Sequence, residues 1–311
     1  MMDDEQKART ALSAVLTQYI EAKALPDSLA DAFLKWYAGV THHLAKWANE
    51  REMPPLVGVS GCQGSGKSTL VQLMAHVLCE VHDVSVVVLS LDDFYLPKAA
   101  RRAMGKTVHP LFATRGVPGT HDLALLSDTI DALQSARGTV SVPTFDKARD
   151  ERTEMGHWRQ VGAPAQLILL EGWCMGVPPQ RGAELLAPVN RTEEEEDSDL
   201  IWRTEVNRQL SGGYADLFAE LDALLLLQAP DFDAVFEWRW QQEQRLSERF
   251  QRRHPDAADP TMGRDEVADF VLHYQRLTEH ALRTLPDRAD FVWELGQDRS
   301  VKRLRLTGVR A

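Results

Sequence analysis

The sequence predicts an α/β protein: a doubly wound, mostly parallel sheet with helices on both faces, a helical N-terminal extension and a helical lid. Three observations predict it. A β-rich run, LVGVS, opens into a glycine loop and then an amphipathic helix. Further apolar runs alternate with helix-period segments, the pattern of parallel strands buried on both faces. No internal repeat offers a solenoid instead.

The elements follow in order. Leu12, Val15, Leu16, Tyr19 and Ile20 recur at helix spacing. Pro26-Asp27-Ser28 interrupts, with Ser28 as N-cap of a second helix through Trp47, and Pro54-Pro55 closes this extension at residues 1–53. The remaining residues, 54–311, form one domain. After the glycine loop, Leu70, Leu73, Met74, Val77 and Leu78 mark one helix face. Strands are expected at 84–90, 139–145, 166–172, 221–228 and 291–295. Helices are expected at about 123–136, 233–253 and 265–285, with a lid over about 233–263. EEEEDSD, residues 193–199, reads as a solvated, mobile loop within about 190–200.

Composition narrows the partners. The 311 residues are 44% hydrophobic and 26% charged, with a formal net charge of -11. An acidic surface argues against nucleic acid or anionic membrane, which need clustered Lys and Arg. It leaves room for a small anion held by a few local cations. Cys62, Cys79 and Cys174 are widely spaced, which points to reduced thiols and a cytoplasmic setting. The N-terminal stretch lacks the apolar core of a signal peptide, and no apolar run approaches a membrane span. A monomer or small homo-oligomer acting on a small molecule is expected.

The glycine loop carries the strongest motif. Gly61-Cys62-Gln63-Gly64-Ser65-Gly66-Lys67-Ser68 fits G-x-x-x-x-G-K-[ST] at every fixed position, and Thr69 comes next. Glycines let successive N–H groups face one anion, and the helix N-terminus adds partial positive charge. Lys67 suits the β- and γ-phosphates, and Ser68 suits Mg²⁺. The loop therefore predicts a nucleoside triphosphate, with an ordinary glycine turn as the bland alternative. A guanine-specifying Asn-Lys-x-Asp is absent. Leu210-Ser211-Gly212-Gly213-Tyr214 mimics a transport-ATPase signature, but Gln228-Ala229 stands where that class needs Asp-Glu. A Gly-Gly turn between two helices is the better account.

A small-molecule kinase needs a base, anion-binding groups for the acceptor and a cationic lid. Asp92 and Asp93 follow a strand expected beside the loop, where a carboxylate can take the acceptor's proton; a turn or cap is the competing role. Glu171 ends another strand, where it would hold Mg²⁺ directly or through water. Arg115, His121, Asp122, Asp146, Lys147 and Arg152 crowd two loops rich in glycine and proline. Arg or Lys suits a carboxylate and Asp suits hydroxyls, though each could be a solvated loop charge. His121 either shapes its loop or touches a ligand. Arg239, between Trp238 and Trp240, is the lid arginine candidate, while Arg245, Arg249 and Arg253 read mainly as a solvated stripe.

GxxGxGKST, SLDDFY, TRGVPGTHDL, PTFDKARDER, LLEGW and FEWRWQQE occur in this order. In that combination the chain resembles the D-glycerate 3-kinase family of plants and its fungal and bacterial relatives, over roughly residues 54–300. That family sits with the uridine kinase, phosphoribulokinase and pantothenate kinase group of P-loop kinases. The resemblance implies MgATP as donor and phosphorylation of a small hydroxyl compound, D-glycerate to 3-phosphoglycerate. It places the general base on Asp92 and the lid arginine on Arg239. Pantothenate, a nucleoside or a sugar phosphate are the competing acceptors, and a non-catalytic ATP-binding regulator is the competing class. The first 50 residues and the stretch 193–199 carry none of the family's motifs.

Overall fold

The computed structural model describes residues 2–255 and 257–307; Met1, Asp256 and residues 308–311, which the domain and lid assignments include, lie outside the described residues. The chain opens with three helices, α1 (Met2–Ala22), α2 (Ser28–Ala32) and α3 (Ala38–Glu50), the last two joined by a π-helical turn at Phe33–Tyr37. Strand β1 (Leu56–Gly61), helix α4 (Lys67–His82) and strand β2 (Val86–Ser90) follow, then helices α5 (Lys98–Thr107) and α6 (Leu123–Ser135). Short strands β3 (Gly138–Val142), β4 (Phe145–Asp146), β5 (Glu151–Arg152) and β6 (Arg159–Ala163) precede β7 (Leu167–Gly172). Helices α7 (Arg191–Glu195), α8 (Ile201–Ser211) and α9 (Gly213–Ala219) lead to β8 (Ala223–Gln228). Helices α10 (Phe232–Arg253) and α11 (Arg264–Thr284) and strands β9 (Phe291–Leu295) and β10 (Val301–Leu306) complete the fold.

The main sheet has six strands in the order β10–β9–β8–β1–β7–β2. All its pairings are parallel except β9 with β10. Strands β1 and β7 are buried along their whole length, as continuous apolar runs with helices on both faces require. One face packs Leu126, Ile130, Tyr214 and Tyr274 in one core with Ile168 and Leu170 of β7. The other face packs Leu73, Met74 and Val77 of α4 together with Leu16, Phe33, Tyr37 and Leu44 of the N-terminal helices. Trp293 Nε1 donates to the Trp36 carbonyl at 2.9 Å, so the first helices share the core of the sheet.

Four expectations are corrected. Ser28 is the first helical residue rather than the cap, and the preceding Asp27 makes no side-chain cap hydrogen bond. The run at 139–145 is not a strand of the main sheet. It breaks at Pro143, which lacks an N–H; β3 pairs antiparallel with β6, and β4 with β5. Only Val140 and Val142 of β3 are buried, so its alternation marks a strand covered on one face. Strand β10, VKRLRL, was not expected; it is an edge strand, antiparallel to β9, carrying the charges that edges tolerate.

The acidic run is the fourth. It is not a mobile loop: Glu193 and Asp197 are each 1% exposed. Asn190 caps α7 by accepting from the Glu193 N–H at 3.0 Å. Both Glu193 carboxylate oxygens accept from Arg276 at 2.6 Å, and Arg203 Nη1 donates to Asp197 at 3.1 Å. Asp197 also accepts from the Trp202 N–H at 2.7 Å, at the start of α8. Two of the acids, Glu193 and Asp197, are buried and neutralised by cations from α11 and α8, while Glu194, Glu195, Glu196 and Asp199 stay exposed as the charge run suggested.

Candidate active site

The parallel strands β1, β7 and β2 bring their C-terminal ends to one edge, where ligands of doubly wound sheets bind. The register aligns Val59 with Glu171 and Ser90 with Glu171. A glutamate near the end of β7, which lies between β1 and β2, is thereby set between the glycine loop and the Asp92 turn.

The loop curls where only glycine is at ease. Gly64 (φ +74°) and Gly66 (φ +90°) are left-handed. A Cβ on Gly64 would lie 2.9 Å from the Trp238 carbonyl, so the loop also packs directly on the first turns of α10. Ser65 Oγ is buried with no hydrogen-bond partner among the described residues. Such an orphan inside an anion-sized curl fits a phosphate oxygen as its missing partner. Gln63, Lys67, Ser68 and Thr69 complete the curl and the first turn of α4.

Ser68 Oγ and Ser90 Oγ both donate to Glu171 Oε1, at 2.9 and 3.0 Å. Lys67 Nζ lies 3.6 Å from Glu171 Oε2. Burial alone would lower the Lys67 pKa, but the carboxylates of Glu171 and Asp92 outweigh it and hold it above the usual lysine value. Among the described residues no group of three or more His, Cys, Asp or Glu could chelate a metal. Ser68 and Glu171 nevertheless fit Mg²⁺, which takes one or two protein oxygens and completes its shell with water and phosphate.

Asp92 lies in a 3₁₀ turn, Leu91–Phe94, after β2. Its Oδ1 accepts the Tyr95 hydroxyl at 3.0 Å and its Oδ2 accepts Lys147 Nζ at 2.7 Å. Burial pushes its pKa up, but Lys147 and Lys67 outweigh burial and bring it to about 2. Asp93 faces elsewhere. It accepts the Phe145 N–H at 3.2 Å, and burial pushes its pKa up to about 6.

The remaining loop charges meet, mostly in pairs. Arg115 and Arg101 share the carboxylate of Asp150, and Arg152 Nη1 donates to Asp122 at 3.0 Å. Asp122 also caps α6 through the Leu125 N–H, and Asp146 caps the turn at Ala148 and Arg149. His121 is buried, with Nδ1 2.5 Å from the Tyr214 hydroxyl. That hydroxyl also accepts from the Gly119 N–H, and His121 Nε2 is buried without a partner among the described residues. Burial lowers the His121 pKa to about 4, so the ring is neutral at pH 7. Arg239 Nη2 donates to Glu243 at 3.0 Å, its guanidinium lies over Phe270, and its Nη1 is buried without a partner among the described residues. Arg245, Arg249 and Arg253 are exposed on α10.

Two arginines escaped sequence reasoning. Arg101 is fully buried and donates to the carbonyls of Leu96, Ala113 and Asp150, tying the Asp92 turn to both acceptor-side loops. Arg299, between β9 and β10, donates to the Gly64 carbonyl at 2.7 Å and to Gln241 at 2.7 Å, and stacks on Trp238. It braces the glycine loop against α10. Nothing local in RRAMGK or GQDRS distinguishes these arginines from surface charges.

Sheet order, phosphate loop and strand-end carboxylates define a P-loop kinase. Residues 56–182 match the Phosphoribulokinase / Uridine kinase family. A kinase of Schizosaccharomyces pombe, "Uncharacterized kinase mug58", is 32% identical over 254 residues, covering 79% of this chain and 87% of the relative. The chain belongs to the phosphoribulokinase/uridine kinase family and is an ATP-dependent P-loop kinase. It is also 30% identical to the chloroplastic D-glycerate 3-kinase of Arabidopsis thaliana over 78% of this chain, a match spanning 51% of that enzyme. The structure of D-glycerate 3-kinase from Cryptococcus neoformans superposes with a TM-score of 0.69 at 22% identity, over 86% of this chain and 97% of that one, which establishes the shared fold. No helix among the described residues is long and apolar enough to cross a membrane.

Proposed function

We propose that the chain phosphorylates D-glycerate to 3-phosphoglycerate, with Asp92 as general base and ATP held on Gly61–Thr69. The carrying observation is the meeting of Asp92, Lys67 and the Ser68–Glu171 pair at one edge of the sheet. Bound Mg²⁺ would neutralise phosphate charge, held by Ser68 and Glu171. Lys67 binds phosphate oxygens and balances their charge. Arg239 does the same from the lid once it leaves Glu243. Tyr95 orients Asp92 through its hydroxyl on Oδ1, which leaves Oδ2, shared with Lys147, toward the acceptor loops.

The acceptor lies among the loops of Arg115, His121, Asp122, Asp146, Lys147 and Arg152. Asp122 and Asp146 shape those loops through their caps, and Arg115 and Arg152 line them from within ion pairs. Choice of D-glycerate rests on this cation-rich lining and on the names of the plant and Cryptococcus relatives.

The test is an acceptor panel with MgATP: D-glycerate, L-glycerate, pantothenate, uridine and ribulose 5-phosphate, following ADP and identifying the product. ADP release dependent on D-glycerate, with 3-phosphoglycerate formed, is the expected result. Turnover with another acceptor and silence with D-glycerate would replace the substrate and keep the donor side.

A further inference from the structure

Both oxygens of Asp92 accept a hydrogen bond from within the chain. Tyr95 occupies Oδ1 and Lys147 occupies Oδ2. Each oxygen keeps a second lone pair for an acceptor O–H, but a carboxylate paired with an ammonium is a weaker base than one freed from it.

The two partners differ in how firmly they are held. Tyr95 is buried, stacked on His121 with centroids 4.4 Å apart, and met edge-on by Phe145 at 5.2 Å. The Lys147 side chain is 63% exposed and reaches in from the turn between β4 and β5. Its carbonyl accepts from Arg115, so the backbone is tied while the four-carbon arm is not. Arg101, Arg115 and Arg152 are better buried, exposing 0%, 30% and 16% of their side chains, while the more open Arg149 pairs with Asp146 and not with Asp92. A pair whose cation is this exposed is screened by solvent, so of the two lysines acting on Asp92, Lys147 changes partner more easily than the better-buried Lys67.

We propose that Lys147 is a specificity-determining guard on Asp92: it caps the carboxylate until an acceptor bearing its own anionic group draws the ammonium away. This rests on Asp92 being the base. An anionic acceptor offers Lys147 one carboxylate in exchange for another. Water or a neutral alcohol offers no such exchange, so the base stays capped and ATP is spared. In the suppressed side reaction, a water oxygen bonds to the γ-phosphorus as the bond to the β,γ-bridging oxygen breaks. ADP leaves with that electron pair, the water's proton passes to Asp92, and the products are ADP and phosphate.

Lys147→Met tests the guard, since it keeps the stem and removes the charge. Expected are a roughly tenfold rise in acceptor-independent ADP release, less than the ~10²–10⁴-fold a general base supplies outright because Lys147 weakens the base rather than removing it, a higher KM for D-glycerate, and a gain for glycerol relative to D-glycerate. Lys147→Arg should restore the low background. Calorimetric titration of D-glycerate without ATP gives a second readout: Asp92→Asn should tighten binding when Lys147 is present, and lose that effect in the Lys147→Met background. Unchanged background ADP release in Lys147→Met, or tightening by Asp92→Asn that persists without Lys147, would overturn the guard. Full transfer activity in Asp92→Asn alone would instead overturn the base on which it rests.

Discussion

The donor and acceptor sides of the site are built on opposite plans. The donor side is a curl of backbone within one contiguous stretch, Gly61–Thr69, closed by Glu171 from the neighbouring strand. Within it Ser65 Oγ has no partner among the described residues, while Ser68 and Lys67 share the single carboxylate of Glu171. The acceptor side is a set of ion pairs already made, Asp92–Lys147, Arg115–Asp150 and Arg152–Asp122. The first plan suits a donor common to many kinases, because N–H groups and a helix end recognise phosphate whatever molecule bears it. The second suits selection, because an acceptor must compete with partners in place.

The contrast can be tested by removing one member from each side and from the frame beneath. The largest effect is expected from Lys67→Ala, which deletes a cation facing the transferring phosphoryl group. Loss of about 10²-fold or more in kcat/KM for ATP is predicted, the usual scale for one transition-state charge. Steady-state kinetics would check it, and an unaffected variant would mean that the curl alone suffices.

Next comes the frame. Arg276→Met strands the Glu193 carboxylate, which Arg276 grips at 2.6 Å through two bonds. Breaking a buried pair from one side costs about 3–5 kcal/mol. Chemical denaturation should show that loss, and a change below about 1 kcal/mol, the scale of an exposed pair, would return the acidic run to the surface role its sequence suggested.

The smallest effect concerns Asp93, whose pKa burial raises to about 6. A folded acid with a raised pKa binds more protons than the unfolded chain between its ordinary value and about 6. Its contribution to stability therefore falls as pH rises through that window. Asp93→Asn should raise Tm at pH 7 and lose the gain near pH 4, since its carbonyl oxygen can keep the Phe145 N–H. Thermal melts at the two pH values decide it; an equal shift at both would assign the effect to something other than ionisation.

The same contrast explains what the sequence disclosed. Strands β1, β7 and β8 and the glycine loop were legible because their signals are local: apolar runs and fixed glycine spacing. Asp92, Glu171 and the acceptor-side loops could be named as candidates because they end or follow strands. Which charge meets which could not be read, because partners such as Asp92 and Lys147 stand 55 residues apart. The burial of Glu193 within the acidic run was hidden for the same reason, since Arg276 lies 83 residues away. Arg101 and Arg299 act through backbone carbonyls, which leave no trace in side-chain pattern. Strand β3 misled because an alternating apolar run does not state which sheet it joins.

The central claim is that Asp92 takes the acceptor's proton. It is tested most directly by single-turnover transfer from ATP to D-glycerate in Asp92→Asn against the unaltered chain, with ATP affinity measured in parallel. The account predicts nearly unchanged ATP binding and transfer slowed by about 10²-fold or more. Transfer at close to the unaltered rate would contradict it, and would move the search for the base to another group at the same edge of the sheet.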